Sequence, residues 1–192
     1  MKKLLLTCML LTGIALSAQI NNEHLNIGDQ APLITGKDQN GKGINSAEIL
    51  KNNKILLVFY RGNWCPYCRK HLTSLQDNLN DLNKKGYFVI VVTPEKYEKT
   101  QETADKLGVT FSILHDQDNS IMNNYKVAYD VNKENIPNFY PAISKKVAEY
   151  NGNNSVLPVP ATYIIDRNNM ITYVQYDPDY KNRSDFKEIL KM

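Results

Sequence analysis

Two cysteines stand two residues apart in Trp64-Cys65-Pro66-Tyr67-Cys68, directly after the apolar run Ile55-Leu56-Leu57-Val58-Phe59. The thiolate is the reactive form of cysteine, and the unpaired N–H groups and dipole of a helix N-terminus stabilise it. Pro66 suits the first turn of a helix, where its missing N–H costs nothing. Cys65 then falls at the start of that helix and Cys68 within its first turn, so either sulfur is placed for activation. The two-residue spacer lets one sulfur attack a partner and the other resolve the mixed disulfide. Arg61, Arg69 and Lys70 add positive potential if they point inward, and Trp64 is expected to pack beside the pair and shield it. A structural disulfide or half of a zinc site would use the same spacing. Zinc usually takes four protein ligands, however, and the chain holds only one further cysteine, Cys8.

The elements that must position this pair alternate between strand and helix. Residues 33–35 and 43–44 read as a hairpin around Asn40-Gly41, a pair suited to positive φ. Residues 54–60 are continuously apolar, as expected of a strand covered on both faces. Cys68, Leu72, Leu75, Leu79 and Leu82 recur at intervals of three and four and predict one helix that Gly86 ends. Residues 87–92 read as the next buried strand. Thr93-Pro94-Glu95 then supplies an N-cap, a proline at the first position and an acid in the first turn of a helix that Gly108 closes. A short strand at 111–114, a short helix at 120–125 and two strands at 161–166 and 171–175 follow, the last two joined by Arg167-Asn168-Asn169. A final helix runs from about Asp185 to Leu190. Residues 130–157, rich in Asn and holding Pro137 and Pro141, are the least regular; such insertions often cover a site and choose its substrate. The pattern predicts an α/β fold, a mixed sheet sandwiched by helices.

The N-terminus sets the expected compartment. Met1-Lys2-Lys3, an apolar stretch to about Leu16 and the small residues Ser17 and Ala18 have the layout of a secretory signal peptide over residues 1–18, leaving one domain at 19–192. The apolar stretch falls short of the ~20 residues a membrane span needs. Cys8 lies in the segment expected to be removed. An exported, periplasmic or extracellular setting would let a disulfide persist. The whole chain has 23 Lys+Arg against 20 Asp+Glu; without Lys2 and Lys3 the balance is 21 against 20. With no clustered basic stripe, that balance argues against nucleic acid and gives no membrane-surface signal.

The segment Val58-Phe59-Tyr60-Arg61-Gly62-Asn63-Trp64-Cys65-Pro66-Tyr67-Cys68-Arg69 resembles the motif of peroxiredoxin-like proteins in the alkyl hydroperoxide reductase C/thiol-specific antioxidant (AhpC/TSA) family. The likeness continues through Val91-Val92-Thr93-Pro94-Glu95, then Lys106-Leu107-Gly108-Val109 and Phe111-Ser112-Ile113-Leu114-His115-Asp116. It ends with Val159-Pro160-Ala161-Thr162-Tyr163-Ile164-Ile165-Asp166 and Asp177-Pro178-Asp179-Tyr180. The resemblance implies a thioredoxin-like fold with the redox cysteine at a strand-to-helix junction. It also implies a departure. The peroxidases of this superfamily carry Pro-x-x-x-Thr-x-x-Cys; matched on the preceding strand, Cys68 takes the peroxidatic position, Cys65 the threonine position and Arg61 the proline position. Pro160 stands where those peroxidases place an arginine that polarises the peroxide. Pro160 resembles instead the cis-proline that packs against thioredoxin-like disulfides, so a cis Val159–Pro160 bond is expected.

Three functions follow. The favoured one is a secreted dithiol–disulfide oxidoreductase in which Cys65 attacks and Cys68 resolves. The alternative is a peroxidase in which Cys68 attacks a hydroperoxide, Cys65 condenses with the sulfenic acid, and Arg61 or Arg69 replaces the missing arginine. The third is copper binding by the pair with a distant histidine, His115 or His24. The first two need no organic cofactor or metal. Each takes its electrons from a dithiol partner protein and acts on a disulfide or a hydroperoxide. The expected site is therefore Cys65, Cys68, Pro160, Trp64 and Arg61.

Overall fold

The computed structural model describes residues 24–131, 141–152 and 155–192; the leader expected at 1–18 lies outside them. The chain opens with a hairpin, β1 (Thr35–Lys37) and β2 (Gly43–Asn45), paired antiparallel with Gly36 opposite Ile44. Asn40-Gly41 forms its turn as expected. Gly41 takes φ +77°, and the Asp38 carboxylate accepts from the N–H groups of Asn40 and Lys42 at 2.9 and 3.0 Å. Then come α1 (Ser46–Leu50), β3 (Lys54–Phe59), α2 (Pro66–Asp77), α3 (Leu79–Lys84), β4 (Tyr87–Thr93), α4 (Tyr97–Leu107) and β5 (Ser112–His115). The remainder is α5 (Ser120–Asn124), β6 (Ala128–Asp130), α6 (Pro141–Asn151), β7 (Val156–Pro158), β8 (Ala161–Ile165), β9 (Ile171–Tyr176) and α7 (Phe186–Ile189).

The central sheet has the order β5-β4-β3-β8-β9. β3, β4 and β5 are parallel; β8 runs antiparallel to β3, and β9 to β8. Because side chains alternate along a strand, β3 sends Leu56 and Val58 to one face and Ile55, Leu57 and Phe59 to the other. The first set packs on Leu72, Leu75 and Leu82 of the helices and on Phe186 of α7. The second packs on Ile34, Ile121, Met122 and Tyr125. Each such buried aliphatic side chain contributes about 1.5–3 kcal/mol. That double cover is why β3 reads as an unbroken apolar run, and it confirms the predicted α/β sandwich.

Three expectations are corrected. The helix predicted to run on to Gly86 breaks at Asn78, with φ −100° and ψ 0°, where the Asn78 side-chain amide donates to the Ser74 carbonyl at 2.8 Å and competes with the backbone ladder. The apolar stripe survives the break, since Leu79 and Leu82 on α3 stay in the same core. Thr93-Pro94-Glu95 does not start a helix. Thr93 ends β4, its hydroxyl accepts from the Glu95 N–H at 3.3 Å, and α4 begins two residues later at Tyr97. The insertion expected to be irregular holds α6 and β7, with β7 pairing antiparallel to β6. Pro137 lies outside the described residues.

Candidate active site

β3 ends at Phe59, and residues 60–65 carry the chain over to α2. Gly62 makes the turn possible. Its φ is +148°, and a Cβ there would lie 2.3 Å from the Trp64 indole nitrogen and 3.1 Å from Glu95 Oε1. Asn63 is held at both of its backbone polar groups. Its N–H donates to Glu95 Oε1 at 2.9 Å, and its carbonyl accepts from Arg69 Nη1 at 2.5 Å. The Cys65 N–H donates to the Gly62 carbonyl at 3.1 Å, which closes the turn. Cys65 is then the N-cap of α2 and Pro66 its first residue, as the sequence predicts.

Both sulfurs are thiols in this structure, and both are buried, Cys65 2% exposed and Cys68 not at all. Their chemistry diverges. The Cys68 side chain hydrogen-bonds the Cys65 sulfur; that bond, helped by the Cys68 N–H and the Arg61 and Arg183 guanidiniums, pulls the Cys65 thiol down to about 6 against the effect of burial. Burial pushes the Cys68 thiol up, and the neighbouring Cys65 thiolate adds to this. The resting negative charge of the pair therefore sits on Cys65.

Around the sulfurs the structure redistributes the expected roles. Arg61 is buried, its guanidinium 5.1 Å from the Trp64 ring and 4.7 Å from the Tyr180 ring. Tyr180 in turn meets Tyr67 edge-on at 5.6 Å. Arg69 is committed to the Asn63 carbonyl, and Lys70 is exposed. The guanidinium that reaches Cys68 belongs to Arg183, whose Nη2 lies 3.8 Å from Cys68 Sγ. The residue after it is anchored, since Ser184 Oγ lies 2.8 Å from Thr162 Oγ1 and 3.2 Å from His71 Nε2. His71 also stacks on Phe186, at 4.6 Å and 18°. Burial, then the Arg183 charge, lowers His71 to about 4, so the ring is neutral.

Pro160 needs a correction. It is buried just before β8, but no cis peptide bond occurs among the described residues, so Val159–Pro160 is trans. The Val159 N–H donates to the Val127 carbonyl at 2.7 Å, and a proline ahead of the first strand residue leaves no ladder bond unmade. Trp64 packs against the buried cluster that holds both cysteines and also against the cluster of Val131, Val147 and Leu157, so the 130–157 insertion does reach the site.

Two residues of the site escaped the sequence. Arg183 follows the Asp177-Pro178-Asp179-Tyr180 block, which carried no chemical role. Glu95 reads as a first-turn acid, yet its carboxyl is wholly buried, accepting from the Tyr60 hydroxyl at 2.6 Å as well as from Asn63. A signal for Glu95 existed. β3 and β4 are adjacent and parallel, so the residues just past their carboxyl ends converge, as they do at the crevices of open α/β sheets. Among the described residues no three His, Cys, Asp or Glu side chains group as metal ligands would, and none of their helices is long and apolar enough to cross a membrane. His24 stacks on Tyr176, and His115 ends β5.

The sequence model of the AhpC/TSA family matches residues 27–174. A putative peroxiredoxin of Mycobacterium tuberculosis is 32% identical over 98 residues, 51% of this chain and 62% of that protein. Peroxiredoxin Bcp of Escherichia coli is 30% identical over 103 residues, 54% of this chain and 65% of that protein. The matched stretch thus spans less than two thirds of either relative. The crystal structure of peroxidoxin BcpB from Mycobacterium tuberculosis superposes with a TM-score of 0.69 at 15% identity, covering 88% of this chain and 96% of that one, a likeness of fold. With the family match reaching from before the hairpin to within β9, this chain belongs to the AhpC/TSA family.

Proposed function

We propose that this chain is a thiol-dependent peroxidase in which Cys68 attacks a hydroperoxide and Cys65 resolves the product. The observation that carries this reading is the Arg183 guanidinium beside Cys68 Sγ at the first turn of α2. It supplies the cation that the Pro160 position lacks, from a different part of the chain. The hydrogen bond between the sulfurs supplies the proton path. Transfer of the Cys68 proton to the Cys65 sulfur moves the negative charge under Arg183. The Cys68 thiolate then attacks the terminal oxygen, the S–O bond forms as the O–O bond breaks, and the alkoxide leaves and takes up a proton as alcohol. The Cys65 sulfur, its proton lost, attacks the sulfenic sulfur; the S–S bond forms and hydroxide leaves, protonated to water. A dithiol partner protein reduces the disulfide by two exchange steps.

One observation favours a second reading, thiol–disulfide exchange, in which Cys65 is the attacking sulfur: its thiol is the one held down to about 6. The single variants separate the two. A peroxidase loses peroxide consumption with Cys68→Ser, while Cys65→Ser consumes one equivalent and stops at a trappable sulfenic acid. An exchange protein instead loses all attack on a disulfide partner with Cys65→Ser, and Cys68→Ser accumulates the mixed disulfide. We also propose export, on the strength of the leader layout of residues 1–18. Intact-mass analysis of the protein from a secreting host tests that, and retention of residues 1–18 would overturn it.

A further inference from the structure

We propose that Glu95 is a positioning residue for the redox centre, its buried carboxyl fixing the loop that delivers Cys65 to the start of α2 and doing so according to its own charge. The proposal concerns the placement of Cys65 and holds for either use of the thiols. Glu95 sits past the end of β4 and touches the site through two groups. One is the hydroxyl of Tyr60, the first residue after β3, donating at 2.6 Å. The other is the N–H of Asn63, two residues before Cys65, donating at 2.9 Å. At the next peptide Arg69, from α2 itself, holds the Asn63 carbonyl. Gly62 is pressed between Trp64 and Glu95 with no room for a side chain. The loop therefore has one placement while both Glu95 bonds are made, and the Cys65 N–H is tied to it through the Gly62 carbonyl.

The carboxyl is built to change charge. It is wholly buried, and burial raises it to about 7, while the bonds from Tyr60 and Asn63, and then Lys99, favour the anion; Glu102 opposes them. The Glu95 N–H also bonds the Thr93 hydroxyl of β4. Ionised, the carboxylate accepts two charge-assisted hydrogen bonds. Protonated, it keeps Asn63 through its carbonyl oxygen but must turn its own O–H toward Tyr60, and the loop is held by neutral bonds about half as strong.

The test follows alkylation of the reduced protein by iodoacetamide against pH, with the Cys65 thiolate fraction read separately from absorbance at 240 nm. Dividing rate by thiolate fraction removes the thiol's own titration. The wild type should show a step centred near pH 7, with the rate per thiolate rising about five-fold on acidification, because the buried Cys65 sulfur is reached only as the loop opens and neutral bonds hold the loop less tightly than charge-assisted ones. Glu95→Gln, which can still accept from Asn63 and donate to the Tyr60 oxygen, should fold and give a flat line. Tyr60→Phe removes a bond that favours the anion, so its step should move to higher pH. A flat wild-type line, a step retained in Glu95→Gln, or a step unmoved in Tyr60→Phe would each overturn the proposal. Peroxide consumption by the wild type is a separate readout, so its failure bears on the peroxidase reading alone.

Discussion

Arg183→Met keeps most of the side chain's length and apolar stem while deleting its charge and donors. Arg183 Nη2 stands 3.8 Å from Cys68 Sγ. At that distance a full cation–thiolate pair is worth about 4 kcal/mol at an effective dielectric of about 20. Arg183 is only half-buried, so solvent takes a large part of this. What remains is in the range of a hydrogen bond to a charged group, about 1.5–3 kcal/mol. If that energy is felt by the Cys68 thiolate as it attacks, at about 1.4 kcal/mol per decade the variant should oxidise about 10- to 100-fold more slowly. Rapid mixing with hydrogen peroxide reads the rate through Trp64, the chain's single tryptophan, which packs against the thiol core. An internal control comes with the same substitution. The Arg183 charge helps to depress His71, so proton NMR should find His71 titrating at higher pH in Arg183→Met. A His71 shift with peroxide oxidation within two-fold of wild type would show that the guanidinium is in place and chemically idle, which refutes the reasoning.

Gly62→Ala places a Cβ against the Trp64 ring at a backbone conformation side chains rarely adopt, and it should cost about 1–3 kcal/mol, seen as a lower melting temperature with altered Trp64 emission; a wild-type melt would contradict this. His71 titrates near 4 in the folded chain against 6.5 ordinarily, so the unfolded chain takes up the extra proton and stability falls as pH drops from about 6.5 toward 4. Glu95 titrates near 7 against 4.5, so the folded chain holds the extra proton and stability falls as pH rises from about 4.5 through 7. The two effects are each worth about 3 kcal/mol and oppose one another. Between pH 4.5 and 5.5, below the midpoint of the Cys65 titration at about 6, denaturant unfolding should give a nearly flat wild type. There His71→Phe should lose stability with rising pH and Glu95→Gln should gain it; the same slope in all three would discard both assignments.

The scaffold was legible because its signals are local. Continuous apolar runs marked β3 and β4, Pro66 and the leucine stripe marked α2, and Asn40-Gly41 marked the hairpin turn. Where local signals competed, tertiary context decided. Thr93-Pro94-Glu95 has the composition of a helix start, but the parallel pairing of β4 extends through Thr93, opposite His115, and the carboxyl is drawn inward by Tyr60 and Asn63 instead of capping α4. Asn78 broke a helix whose apolar periodicity runs straight past it, because periodicity reports which face is buried and not whether each amide is bonded. α6 stayed hidden in an Asn-rich stretch, since its anchoring on Trp64 and on the Lys96 N–H, which donates to the Tyr150 carbonyl, is long-range.

The cysteine spacing alone does not choose between peroxide and disulfide chemistry, and the geometry shows why. Cys65 at the N-cap and Cys68 in the first turn lie at the same helix start and share one hydrogen bond, so either can hold the charge after a single proton shift. What biases that shift comes from elsewhere in the chain. Arg183 stabilises a thiolate on either sulfur and is seated beside Cys68, and its neighbour Ser184 is fixed by Thr162 of β8 and His71 of α2. Glu95, from beyond β4, fixes the loop that places Cys65. Arg183 lies 115 residues from Cys68 in sequence, and the bond from Tyr60 to Glu95 spans 35. A function set by contacts of that range is carried by the topology that closes them. The deciding residues of this site must therefore be sought at the ends of β3, β4 and β8 and in the segment before α7, whatever the motif around the thiols resembles.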